Sequence, residues 1–130
     1  MTELTSQEIF DKALFGIRGQ DYKQSGSSSA CKYRYTDEND TKLCCAVGHC
    51  IDDDTAEMWD SELLTSIVHV FNYRTSEFNQ FFDESQLPLL SDLQHAHDNV
   101  LGLSNMQWEE EMIDIAKVYN LNYTPVWKDL

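Results

Sequence analysis

Cys31-Lys32-Tyr33-Arg34-Tyr35-Thr36, then Asp37-Glu38-Asn39-Asp40, then Leu43-Cys44-Cys45-Ala46-Val47: this stretch decides the fold class. Cys31, Tyr33 and Tyr35 alternate with Lys32, Arg34 and Thr36, and Leu43, Cys45 and Val47 alternate with Cys44 and Ala46. Period two on both sides of a polar turn is the pattern of a β-hairpin, here about residues 31–47. A lone hairpin is marginal in water, so its apolar face needs helices to cover it.

Helices are written on both sides. Upstream, Thr5-Ser6-Gln7-Glu8 is a capping box, and Ile9, Phe10, Ala13, Leu14 and Ile17 follow at helical spacing. That predicts a helix over about residues 6–18, with Gly19 at its end and a loop over 20–30. Downstream, Asp52-Asp53-Asp54 opens a short helix, and Ser61 and Ser76 are placed to cap two more. Pro88 suits the first turn of a helix carrying Leu90, Leu93, His97 and Leu101. Ser104 to Gln107 is a second capping box, for a closing helix with Trp108, Met112, Ile115 and Tyr119 inward. The expectation is an α+β domain spanning 1–130, mainly helical, its one hairpin packed on an N-terminal helix and a C-terminal helical bundle.

Charge is distributed unevenly. Between Leu43 and Ala116 there are fifteen acidic side chains and one basic, Arg74, whereas eight of each sign lie outside, so this window holds the whole net charge of −14. Such a chain repels nucleic acid and anionic membrane and attracts basic protein surfaces. Its three Trp, six Tyr and six Phe argue for a folded core rather than a disordered acidic tail. No apolar run approaches the ~18 residues of a membrane span. Met-Thr-Glu-Leu-Thr lacks the pattern of a secretion signal. A cytoplasmic protein is expected, with Cys31, Cys44, Cys45 and Cys50 as reduced thiols.

Candidate chemistry is sparse. His97-Asp98 on a helix, with His69 upstream and Asp114 downstream, is the skeleton of a metal-dependent phosphohydrolase site, although His97 also fits a core stripe. Cys44, Cys45, His49 and Cys50 are soft ligands close together, yet Cys45-x-x-x-His49 has no second clean pair to complete a zinc site. There is no phosphate loop and no nucleophile elbow. No catalytic residue, cofactor or resident metal is expected. The alternative is a small metal-dependent hydrolase, or a zinc-stabilised domain, using His97 and Asp98 or the Cys44–Cys50 cluster.

The acidic clusters are the stronger signal. Asp52, Asp53, Asp54, Glu57, Asp60 and Glu62 form one, and Glu109, Glu110, Glu111 and Asp114 a second along the outer face of the last helix. With Trp59 and Trp127 as exposed aromatic anchors, they are the expected contacts with a basic partner protein. Imitation of a nucleic-acid duplex is the extreme form of such binding, and it needs many carboxylates in register.

The middle of the chain resembles a poorly characterised group of small bacteriophage proteins. The resemblance rests on Cys31 to Tyr35, Cys45-Ala46-Val47-Gly48, Ile51-Asp52-Asp53, Leu93-Gln94-His95-Ala96-His97-Asp98 and Trp108. The chain departs from that pattern where His49-Cys50 and the aspartate run stand in place of a proline after the isoleucine. The resemblance implies a phage accessory protein acting in the host cytoplasm. Its partner would be a host or antiviral-defence protein, such as a nuclease or CRISPR effector, inhibited at its nucleic-acid-binding surface.

Overall fold

A computed structural model describes residues 4–20, 22, 23, 26, 27, 30–36, 39–64, 66–98 and 105–125, with backbone alone for 26, 27, 30, 31, 97 and 98. Helix α1 (Ser6–Gly19) starts at the capping box: Glu8 N donates to Thr5 Oγ1 and Thr5 N to Glu8 Oε1. Ile9, Phe10, Ala13, Leu14 and Ile17 are all fully buried, as their spacing requires. The expected loop over 20–30 contains a short ladder, in which β1 (Gly26–Ser27) pairs antiparallel with β2 (Ala30–Cys31).

The hairpin is shorter than 31–47. Strands β3 (Arg34–Thr36) and β4 (Lys42–Cys44) pair antiparallel, with Tyr35 opposite Leu43. Cys31 belongs to the preceding ladder, and Val47–Cys50 coils into a 3-10 helix. The physical reason is Gly48. A Cβ there would lie 2.3 Å from the Tyr33 carbonyl oxygen, so glycine lets the backbone turn under the hairpin. Gly48→Ala is expected to destabilise by about 1–3 kcal/mol, because the clash is with backbone rather than a movable side chain. Urea denaturation tests this, and an unchanged midpoint would refute it.

Side chains from two other elements hold the hairpin. Gln20 accepts from Cys44 N (3.0 Å) and donates to Cys44 O (2.8 Å). Asp60 accepts from Tyr33 N (2.9 Å) and Arg34 N (3.1 Å). The Arg34 guanidinium donates to Tyr33 O, Gly48 O and Ile51 O and pairs with Asp53, tying strand, turn and helix together.

Four more helices and a closing one follow: α2 (Asp53–Ser61), α3 (Ile67–Tyr73), α4 (Thr75–Phe81), α5 (Leu87–Asp98) and α6 (Asn105–Val118). Asp52 caps α2 through Thr55 N. Ser66, not Ser61, caps the next helix through His69 N. Arg74 occupies the cap position of α4, so Ser76 lies inside the helix. The cap expected at Ser104 lies outside the described residues. Buried side chains run as one core from Ile9 on α1 to Ala116 on α6, so the molecule is a mainly helical α+β fold. No helix among the described residues is long and apolar enough to cross a membrane.

Candidate functional site

The first acidic cluster is largely occupied by the fold. Asp52 is a helix cap, Asp53 pairs with Arg34, Asp60 holds the hairpin backbone, and Glu62 pairs with Arg74. The Arg34 guanidinium and the nearby Lys42 hold the Asp53 carboxyl below its usual range. A groove of about 480 Å³ lies between hairpin and α2, and its walls carry both signs: Lys32, Arg34 and Lys42 against Asp53, Glu57 and Asp60. Asp54 and Glu57 are exposed and take no part in these caps and ion pairs.

The second cluster divides. Glu110, Glu111 and Asp114 are exposed, but Glu109 is 1% exposed and corrects the expectation that it faces outward. Glu109 shares a face with Met112 and Ala116, three and seven residues on, and both are buried. It is neutralised by Arg18 of α1 through two near-parallel bonds of 2.9 and 2.7 Å. Tyr22 (2.9 Å) and Tyr123 (2.6 Å) donate to the same carboxylate. Burial by itself raises the Glu109 pKa, but the bonds from Arg18, Tyr123 and Tyr22 outweigh it and leave the carboxyl lowered. Tyr123 is pushed up to about 12, by burial first and then by Glu109. Such an arrangement is a structural clasp between α1, α6 and the segment after it.

A different groove is formed where α6 lies on α5. It holds about 280 Å³ and is lined by Asp92, His95, Ala96, Glu111, Asp114, Ile115 and Val118. Glu111, Asp114, Ile115 and Val118 recur at helical spacing, so they form one stripe. No Lys or Arg lines it. The ion pairs Arg18–Glu109, Arg34–Asp53, Arg74–Glu62 and Arg74–Glu77 lie elsewhere in the fold. Asp92 accepts from Tyr119 Oη at 2.6 Å. Burial and that bond push the Tyr119 phenol up to about 12, keeping it a donor at neutral pH.

The aromatic anchors are also revised. Trp59 is fully buried, stacked edge-to-face on Tyr33 at 5.4 Å, so it is core and not a contact residue. Its place on α2, three residues after buried Ala56, puts it on the inward face. Trp108 is buried as expected, and Trp127 lies outside the described residues. The exposed large apolar groups among the described residues are instead Phe15, Tyr35, Leu63, Val68, Tyr73, Met106 and Val118, none of which spacing or motif marks as a contact.

Among the candidate metal ligands, Cys45, His49 and Cys50 make contacts within the fold. Cys50 is buried and its thiol donates toward Ile9 O and Ala46 O, and burial pushes it up to about 12. Cys45 Sγ accepts from Gly48 N. Cys44 is half-buried, and burial raises its thiol. The His49 ring lies over Gly16 of α1, with Nε2 3.0 Å from Gln20 Oε1. Among the described residues no three His, Cys, Asp or Glu side chains are grouped to hold a metal ion. His97 and Asp98 lie at the end of α5, their side chains outside the description. Comparisons with protein-family models, curated proteins and solved structures find no match.

Proposed function

We propose that this is a non-enzymatic accessory protein of phage origin that binds and blocks a basic, nucleic-acid-binding surface of a host or defence protein in the host cytoplasm. The phage setting rests on the sequence resemblance. The observation that carries the binding mode is the exposed stripe of Glu111 and Asp114 in a groove that no Lys or Arg lines, with Glu110 beside it and Asp92 across it. None of these carboxylates lies in the first turn of α6, where the helix dipole would favour it. Glu110 and Glu111 stand four and three residues before Asp114, a like-charge spacing that costs roughly 0.2–0.5 kcal/mol per pair. In the α2 cluster, by contrast, Asp53 and Asp60 hold the hairpin, Asp52 caps the helix and Glu62 pairs with Arg74. This division favours local steering by one acidic groove over imitation of a whole duplex.

The test is capture of partners from host lysate across a salt series, with wild-type protein and a Glu110→Lys, Glu111→Lys, Asp114→Lys variant. Between about 0.01 and 0.15 M salt the screening length falls from about 30 to 8 Å. Binding by wild type is expected to weaken steeply over that range, and the variant should lose it while its unfolding midpoint is unchanged or raised. A partner retained equally by both proteins at all salt concentrations would defeat the proposal.

A further inference from the structure

Three of the chain's nine Lys and Arg line the groove between hairpin and α2, although the net charge is −14. Their placement has a direction. Lys32, Arg34 and Lys42 all stand on the hairpin or the residues leading into it, whereas Asp53, Glu57 and Asp60 all stand on α2. The three acids follow one another at four and three residues, so they form one stripe along the helix. One wall of the groove is therefore cationic and the other anionic. A simple anion or a simple cation would be attracted by one wall and repelled by the other.

Two bridges join the walls. At the start of α2, Asp53 accepts from Arg34 Nε (2.8 Å). Near its end, Asp60 accepts from the amides of Tyr33 and Arg34. Glu57 lies on the stripe between those positions, about one turn from each, and is exposed. It takes no part in either bridge, and neither do Lys32 and Lys42, exposed on the facing wall. The groove holds about 480 Å³, within the range of sites that accept small molecules. Tyr35 adds an aromatic surface to the hairpin wall.

We propose that this groove binds a small zwitterion of the amino-acid or dipeptide class, its anionic group facing Lys32 and Lys42 and its ammonium facing Glu57. Tyr35 and the aliphatic stems of the two lysines contact the body of the ligand. The bridges at Asp53 and Asp60 hold the walls apart before the ligand arrives, so little ordering accompanies binding. The groove shares no residue with the one between α5 and α6, and the inference stands independently of the proposed function.

The test is calorimetric titration of the whole protein with alanyl-alanine, its N-acetylated form and its C-terminal amide. Alanyl-alanine is expected to bind, and each blocked form, lacking one charge, to bind about tenfold more weakly, the loss of one charge-assisted hydrogen bond. Glu57→Gln should weaken alanyl-alanine about tenfold and erase its advantage over the acetylated form. A Lys32→Met, Lys42→Met variant should erase its advantage over the amide. These side chains are exposed, so both variants should keep the wild-type unfolding midpoint. Asp54→Asn, the same change of charge outside the groove, should bind as wild type does.

Equal affinity for the free and blocked dipeptides would overturn the inference, as would wild-type binding by Glu57→Gln. Weakening by Asp54→Asn as large as that by Glu57→Gln would also overturn it, by reducing the effect to net charge. Inorganic phosphate bound as tightly as alanyl-alanine would make this a simple anion site, and an absence of any binding would remove the site altogether.

Discussion

Glu109→Ala is expected to lower the unfolding free energy by about 3–5 kcal/mol, the range for removing one partner of a buried ion pair. The Arg18 side chain is 12% exposed and that of Glu109 2%, so the loss strands a cation that water scarcely reaches. Tyr22 and Tyr123 lose their acceptor at the same time. Arg18 also donates to Thr124 O (2.7 Å), and Gln7 makes two bonds with the Asn122 backbone, so the segment after α6 hangs on this corner. Faster amide exchange over residues 121–124 should accompany the loss in urea stability. An Arg18→Met, Glu109→Leu double variant should recover much of it, because an apolar pair avoids the desolvation of both charges.

The pH dependence has a defined sign. The Glu109 carboxyl is held below its ordinary value, so its contribution is complete above the unfolded glutamate value of about 4.3 and is lost as pH falls through the lower folded value. Wild type should therefore lose stability in acid more steeply than Glu109→Gln. Parallel acid profiles, or a Glu109→Ala cost under ~1 kcal/mol, would show that the clasp is not a buried charge pair at all.

Trp59→Ala is expected to cost about 3–5 kcal/mol, as for truncation of large buried aromatics. The indole is fully buried and packs on Tyr33, and the Trp59 carbonyl accepts from Leu64 N in the turn that ends α2. Its Nε1 has no hydrogen-bond partner among the described residues. Trp59→Phe should consequently be much milder, since it removes volume without breaking a bond. Acrylamide should quench Trp59 fluorescence poorly in the native state. Efficient quenching, together with an alanine variant of wild-type stability, would restore Trp59 to the surface.

Local chemistry made part of this fold legible. The Thr5-to-Glu8 capping box and the spacing from Ile9 to Ile17 locate α1 because both signals depend on residues within a few turns. The hairpin was readable for its alternation, but its end was not, because Gly48 turns under the Tyr33 carbonyl from a different strand. Leu63, Leu64, Ile67 and Val68 suggest one helix by spacing. Leu63 and Leu64 instead fall between α2 and α3, because Leu63 takes a left-handed conformation, for which leucine is no signal. In Glu109-Glu110-Glu111 the residues are identical and only phase tells them apart. Counting Ala116 with Met112 would have placed Glu109 inward, but its partner Arg18 is 91 residues away. The α5–α6 groove was half legible: the α6 acids were visible, while Asp92 and His95 reach it through packing of two helices.

The contacts that hold the hairpin also limit how another molecule can meet it. A two-stranded sheet ordinarily offers two open edges to which a foreign strand can add, in recognition or in aggregation. Here the Gln20 amide binds both backbone groups of Cys44 as a neighbouring strand would, and the Asp60 carboxylate takes the amides of Tyr33 and Arg34. Strand addition at Arg34 or Cys44 would first have to displace these side chains. At these positions the side chains of Gln20 and Asp60 thus stand where a foreign strand would add, which disfavours both strand-mediated recognition and edge-to-edge aggregation there.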